Sequence, residues 1–387
     1  MGFKENDSKY IAGTYARFPV IITSGKGSLV YDETGKEYID LSTGIAVNTF
    51  GIADEEWKNA VTEQLNRVQH TSNLYYSEPN IKLAKMLCER TGMKKVFFSN
   101  SGAEANECAI KVARKYAAEK KGGDYNTIIT LKNSFHGRTI TTLAATGQDV
   151  FHKDFLPLTE GFCYVEANNI AELEAAVKTH KCAAIMFECI QGEGGVMPLD
   201  KEFVDEIVRL ADEFDILTVV DEVQTGNGRT GTLYCYMQYG FIPDIVTTAK
   251  GLAGGLPLGA TLMGEKTENV LGIGSHGSTF GGNPICAAAA VNTLSRIDED
   301  LLSAVREKSE YIIKELSVAD GVKSVSGKGL MLGVETERDA NEIIAECMKN
   351  GVLIIKAKNK IRLLPALNIP FEQLQRAIET IKNACKG

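Results

Sequence analysis

The feature that most constrains the fold is an alternation. Between residues 95 and 263, short strand-like runs at 95–98, 127–131, 183–187, 217–220, 244–248 and 260–263 take turns with helix-period segments at 103–121, 170–179 and 201–214. Strands separated by helix-length stretches pair side by side through crossovers. The pattern therefore predicts an α/β fold, a mostly parallel sheet with helices on both faces. Ligands in such sheets bind outside the carboxyl ends of the strands. Two of those ends carry opposite charge. The run 217–220 leads into Asp221 and Glu222, and the run 244–248 stops with only Ala249 before Lys250. Residues alone leave three readings of Lys250: a solvated surface charge, an anion ligand, or a nucleophile that forms a Schiff base.

The rest of the chain arranges itself around that block. Residues 1 to about 50 read as an arm and small strands around SLVYD and EYIDL, followed by helical periodicity at 55–70 and 79–91. Beyond 285 the pattern turns helix-rich. Past 320 two strand-like runs, GLMLGVET and GVLIIKA, and a last helix from Phe371 predict a smaller α+β domain. The expected division is 1–52 (arm and small-domain segment), 53–287 (large domain) and 288–387 (C-terminal small domain). A chain of 387 residues can bury a large core.

Composition narrows the partners. A net charge of −8, with no basic stripe, argues against nucleic acid or an anionic membrane. The N-terminus MGFKENDSKY lacks an apolar signal region, and no apolar run approaches a membrane span. Nine scattered cysteines without a C-x-x-C pair fit neither a disulfide framework nor a zinc site. No metal is expected, and the expected location is the cytoplasm.

Several motifs lie at strand ends. VFFSNSGAEANECAIKVARKY (96–116) is strand, polar turn, helix. Its turn, Asn100 to Gly102, opens a helix whose first N–H groups form an anion site or simply a well-capped start. Gly226, Gly228 and Gly231 form a G-x-G-x-x-G after a strand, but an aromatic loop follows where a dinucleotide fold places its helix. Phe135 and His136 follow the strand at 127–131. They read as ring-stacking residues, or as a core phenylalanine and a surface histidine. Arg138 reads as a carboxylate fork or a surface ion pair. Glu188 ends another strand before the flexible Gln191–Gly195 loop. Asp221 reads as a helix cap, an ion-pair partner, or the partner of a cationic ring nitrogen.

Taken together, SNSGAEANE (99–107), FHGRT (135–139), ECIQGEGGV (188–196), DEVQTGNGRTG (221–231), TTAKGLAGGLPLG (247–259) and HGSTFGGNP (276–284) resemble, in order, the class III aminotransferases. These are enzymes of pyridoxal 5′-phosphate (PLP) with the type I fold, and the likeness spans nearly the whole chain. The resemblance implies a role for each matching residue. Lys250 matches the Schiff-base lysine and Asp221 the acid on the pyridinium nitrogen. Gln224 matches the contact to the phenolic oxygen, Phe135 the stacked aromatic, and Gly102 with Ala103 the phosphate donors. Ser101, Glu222 and Val223 fall in the same cofactor-binding stretches. Thr279 matches a residue that reaches the phosphate of a neighbouring subunit, which implies a homodimer. Arg362 matches the arginine that grips the α-carboxylate of glutamate or 2-oxoglutarate, and Glu193 the acid that masks it. Arg138, Tyr15 and Ser278 match substrate positions. Gly44 matches a position where a small residue leaves room for an acetamido group, so the implied donor is N2-acetyl-L-ornithine. Ornithine, succinyldiaminopimelate and 4-aminobutyrate are the alternative donors, and a dinucleotide-binding oxidoreductase is the remote alternative. Two departures stand out: Cys189 replaces a usual proline, and Phe50–Asp54 replaces a histidine-rich segment near the substrate entrance.

Overall fold

The computed structural model describes residues 2–386. Its centre is a seven-stranded sheet: β1 (Lys95–Ser99), β2 (Thr127–Leu131), β3 (Phe162–Val165), β4 (Cys182–Phe187), β5 (Leu217–Asp221), β6 (Ile245–Thr248) and β7 (Gly259–Met263). The spatial order is β1-β7-β6-β5-β4-β2-β3. Pairing is parallel except that β7 runs against both β6 and β1. Every residue of β4, β5, β6 and β7 is buried, as strands covered on both faces must be. The mostly parallel α/β sheet expected from the alternation is therefore present. Strand β3 escaped the sequence reading. It is an edge strand, only Val165 of it is fully buried, and its apolar signal is correspondingly weak.

Helices cover the sheet for local reasons. Helix α1 (Gly102–Lys121) starts at Ser101, whose side chain accepts from Glu104 N at 3.1 Å, while Glu104 Oε2 accepts from Asn100 N at 2.6 Å. Together these bonds satisfy two donors that a helix start leaves free. Helix α2 (Lys201–Phe214) buries Phe203, Val204, Ile207, Leu210 and Ala211, an i, i+3/i+4 stripe against the sheet.

The two ends of the chain meet. Strand Glu37–Asp40 pairs in parallel with Val352–Leu353, completing a sheet begun by Ile22–Lys26 and Leu29–Asp32. Next to it, Val322–Lys328, Met331–Thr336, Lys360–Leu363 and Ile355–Ala357 form an antiparallel sheet. Two of these, Val322–Lys328 and Lys360–Leu363, lacked a clear sequence signal. Leu332, Val334, Ile343, Ile361, Leu374 and Ile378 join one core beneath them, each contributing about 1.5–3 kcal/mol by burial. The boundary expected at 287/288 falls inside helix Pro284–Ser295, which packs on helices Glu55–Arg67 and Glu78–Thr91.

Candidate active site

Because β1, β2, β4, β5 and β6 share a direction, their carboxyl ends share an edge. There they surround a cavity of about 480 Å³. The residues after β1 supply Ser101, Gly102 and Ala103. Those after β2 supply Phe135 and Arg138. The end of β5 supplies Asp221, Val223 and Gln224, and the turn after β6 supplies Lys250. Nine of the residues singled out from sequence thus line one space. Gly102 has to be glycine: a Cβ there would lie 2.6 Å from Val223 Cγ1.

Asp221 is 3% exposed. Its Oδ2 lies 2.8 Å from His136 Nδ1 and accepts from Asn106 Nδ2 at 2.8 Å, while Oδ1 accepts from Val223 N at 3.0 Å. Asn106 is in turn fixed by Thr247 Oγ1, which donates to its Oδ1 at 2.6 Å. These contacts set the plane of the carboxylate. His136 is therefore not the surface histidine that sequence alone favours. It is buried in the cavity wall, and its Nε2 has no partner among the described residues. Asn106 was passed over in the sequence, and His136, read there as a stacking or surface residue, instead holds Asp221. Nothing in their spacing from Asp221 reveals the contact.

Lys250, half-buried, opens a 3₁₀ turn with φ of +43°, a strained conformation of the kind that clusters at active sites. Burial lowers its ammonium below the ordinary 10.5, against the pull of Glu193 and Asp221. Glu188 lines the cavity too and accepts from Phe135 N at 3.0 Å and Gly192 N at 3.2 Å. Burial raises its carboxyl to about 7.

Beyond Gln224 lies a half-buried charge pair. Arg362 Nη1 donates to Glu193 Oε1 at 2.7 Å and to Gln224 Oε1 at 3.0 Å. Arg362 occupies the strand Lys360–Leu363 that sequence reading missed, and is 2% exposed. Burial pushes the Glu193 carboxyl up, but Arg362 more than offsets it, so the group stays below its ordinary 4.5. A depressed carboxyl stabilises the fold above its unfolded value and loses that contribution as pH falls through the folded value. Glu193→Gln is therefore expected to lower the melting temperature most above pH 4.5. The gap to the parent chain should close in more acidic buffer, as melting curves across pH would show.

Other expected residues lie elsewhere. Glu222 follows Asp221 on the opposite face, as alternation along a strand dictates. It is turned from the cavity, accepting from Tyr236 N at 2.7 Å and Thr225 Oγ1 at 2.6 Å. Ser278 Oγ accepts from Asn100 Nδ2 at 3.2 Å, at the start of α1. Thr279 is exposed, and so is Tyr15 in the N-terminal arm; neither lines the cavity of this chain. Gly44 lies in a left-handed turn in which Thr43, Gly44, Ile45 and Ala46 have φ of 47°, 65°, 66° and 61°. That turn leads to Val47, a cavity residue. The Phe50–Asp54 segment does not line the cavity. Asp54 caps a helix through Trp57 N at 3.0 Å and pairs with Arg296 at 2.5 Å. The G-x-G-x-x-G of Gly226–Gly231 leads into turns and a short 3₁₀ helix, not the helix a dinucleotide site needs. Among the described residues, no cluster of three or more metal-ligating side chains occurs, and no helix is long and apolar enough to cross a membrane.

A lysine of lowered pKa and a fixed carboxylate share this cavity, and a masked arginine lies beside it: a nucleophile or base, a partner for a cation, and a carboxylate clamp. Comparison with known proteins agrees. The sequence profile of the family Aminotransferase class-III matches residues 10–385. The chain belongs to the class III aminotransferases and is an aminotransferase. The chain is 49% identical to the acetylornithine aminotransferase of Haemophilus ducreyi, over 98% of this chain and 97% of that one. It is 42% identical to that of Methanocaldococcus jannaschii, over 97% of this chain and 96% of the other. Among solved structures, the ornithine aminotransferase of Toxoplasma gondii superposes with a TM-score of 0.94 at 31% identity, covering 99% of this chain and 94% of that one. The N-acetylornithine aminotransferase of Stenotrophomonas maltophilia gives 0.85 at 35% identity, covering 98% and 97%.

Proposed function

We propose that this protein moves the distal amino group of N2-acetyl-L-ornithine to 2-oxoglutarate, giving N-acetyl-L-glutamate 5-semialdehyde and L-glutamate, in arginine biosynthesis. The observation that carries the reading is the cluster of buried Arg362 and Gln224 with half-buried Glu193, beside Lys250. A site for two carboxylate-bearing substrates needs an arginine that can be covered and uncovered. The relatives named above as acetylornithine aminotransferases support the choice of donor. So does the space at Gly44, where a Cβ would meet nothing closer than 3.8 Å.

The residues fit PLP. Gly102 and Ala103, the first residues of α1, line the cavity, and helix geometry leaves their N–H groups without intrahelical acceptors. Phe135 offers a flat apolar wall. Asp221, held by its neighbours, offers a carboxylate to a ring nitrogen, and Gln224 a hydrogen bond to a ring oxygen. Ser101, Gly102 and Ala103 would hold the phosphate. When bound, PLP supplies an electron sink for the substrate carbon. The chain supplies the rest. Lys250 would hold the cofactor and, once the substrate's amine has displaced it, would move a proton at the reacting carbon as a neutral amine. Arg138 lines the cavity, its guanidinium 4.0 Å from the centre of the Phe151 ring, and takes the donor's α-carboxylate. Arg362 takes the α-carboxylate of glutamate or 2-oxoglutarate once Glu193 swings aside. Two half-reactions on one site imply ping-pong kinetics.

The active unit in this reading is a homodimer in the cytoplasm. Thr279 is exposed in a loop that also exposes Ile273 and Phe280, which suits contact with a second copy whose site it completes. Tyr15 and Ser278 are substrate contacts in the same reading. All nine cysteines are free, as in a reducing compartment. The N-terminal strands belong with residues 288–387, a division supported by the pairing of Glu37–Asp40 with Val352–Leu353.

Arg362→Ala tests the reading. Loss of a charge-assisted clamp is expected to raise KM for 2-oxoglutarate by about 10- to 100-fold while KM for the amino donor changes little. An unchanged KM for 2-oxoglutarate would remove Arg362 from the substrate site.

A further inference from the structure

The glycine-rich stretch Gly226–Gly231 has no role in the chemistry above, yet it joins the two poles of the site. On one side, Asn227 Nδ2 donates to Thr248 Oγ1 at 3.0 Å and to Ala249 O at 3.2 Å, the two residues directly before Lys250. On the other, Arg229 Nη1 donates to Leu330 O at 3.0 Å and Pro365 O at 2.5 Å. Leu330 N returns a bond to Arg229 O at 2.9 Å. Leu330 directly precedes the strand Met331–Thr336, and Pro365 follows Lys360–Leu363. These strands pair Leu332 with Leu363 and Gly333 with Arg362. One guanidinium nitrogen thus closes the end of the strand pair that presents Arg362.

The fit leaves no slack. A Cβ on Gly228, whose φ is +84°, would lie 2.9 Å from Leu367 Cδ1. One on Gly329 would lie 2.6 Å from Arg229 O. Arg229 is 3% exposed and has no carboxylate among the described ion pairs. Burial lowers its guanidinium to about 9. A buried cation answered only by carbonyl oxygens is costly, and a chain that keeps one holds geometry with it.

We propose that Gly226–Gly231 is a yoke that sets the spacing between Lys250 and Arg362, with Asn227 and Arg229 as its positioning residues. The proposal rests on the reading of Arg362 given above. In glutamate and 2-oxoglutarate the α-carboxylate is one bond from the reacting carbon, so both depend on that spacing. A donor reacting at its distal nitrogen meets Arg362 while it is covered by Glu193, and does not depend on it.

Arg229→Lys and Arg229→Met test this in the PLP-loaded enzyme. Arg229→Lys is expected to raise KM for 2-oxoglutarate roughly tenfold, and Arg229→Met further, with KM for the distal-amine donor within about twofold of the parent. Calorimetric binding of glutarate, an unreactive five-carbon dicarboxylate, should weaken in step. Asn227→Gly suits the native φ of +58° and removes only the amide bonds. It is expected to lower kcat of both half-reactions roughly tenfold and to shift the pH midpoint of the bound cofactor's visible absorption. If the Arg229 variants raise both KM values equally, or Asn227→Gly changes only the melting temperature, the yoke is a structural tie and the proposal fails. Should Arg229→Met not fold, Arg229→Lys and Asn227→Gly decide the matter. Arg362→Ala separates the two claims. If it leaves glutarate binding intact, the reading of Arg362 fails. If it abolishes binding while the Arg229 variants do not weaken it, the yoke alone fails.

Discussion

Lys250→Ala is expected to lower kcat by about 10⁴-fold, the upper range for loss of a positioned acid–base group. The residue is half-buried at the start of a strained turn between Ala249 and Gly251, with Glu193, Asp221 and Arg362 close enough to influence its charge. Burial lowers its pKa, so the neutral amine that takes a proton becomes available at a lower pH than for an ordinary lysine. The sign follows. Activity limited by this amine falls as pH drops through the lowered pKa, and the plateau on the alkaline side begins earlier than 10.5. Removing the side chain takes away a costly buried charge, so the variant should fold. A small primary amine added to the buffer should restore part of the rate. Stopped-flow half-reactions with glutamate would measure both effects, and a wild-type rate in Lys250→Ala would end the mechanism.

The second large effect is expected at Asp221. Asp221→Asn keeps the shape but has one acceptor oxygen to answer His136 Nδ1, Asn106 Nδ2 and Val223 N. At least one buried donor then faces an amide NH₂, at a cost of about 1–3 kcal/mol in stability. The larger consequence is electrostatic. Without a carboxylate at the end of β5 nothing there favours a protonated ring nitrogen, and kcat should fall by about 10²- to 10³-fold, as when a preorganised electrostatic partner is removed. Calorimetry gives the first number and steady-state rates the second. A kcat within twofold of the parent would move the ring contact to another residue.

How much of this was legible beforehand follows from what kind of signal each residue leaves. The parallel sheet was readable because buried strands and amphipathic helices repeat at strong, distinct periods. Asp221 and Lys250 were readable because each stands at the end of such a strand. Arg362 was not readable on its own. Its strand, Lys360–Leu363, alternates cation and apolar residue over only four positions, a pattern that reads as a short half-exposed strand, yet all four are buried. Its roles came from likeness to a family alone. The contacts of Asn106 and His136 with Asp221 are invisible for another reason. The two residues lie 115 and 85 residues from Asp221, and only the packing of α1 and of the loop after β2 against β5 brings them together. Glu222 shows the converse error. Adjacency in sequence to Asp221 suggested a shared site, but successive strand residues face opposite ways, and its carboxylate serves Tyr236 and Thr225 instead. Tyr15 and Thr279 lie on the surface of this chain, where a single sequence carries no sign of what covers them.

The account turns on a cavity that takes a donor by its distal amine and an acceptor by its α-carboxylate. The direct measurement is glutamate formation from 2-oxoglutarate by the PLP-loaded protein, with N2-acetyl-L-ornithine, ornithine, succinyldiaminopimelate and 4-aminobutyrate compared as donors by kcat/KM. The expected result is highest kcat/KM for N2-acetyl-L-ornithine. Equal or greater turnover of unacylated ornithine or 4-aminobutyrate would contradict the assignment of donor, and no glutamate from any of the four would contradict the account as a whole.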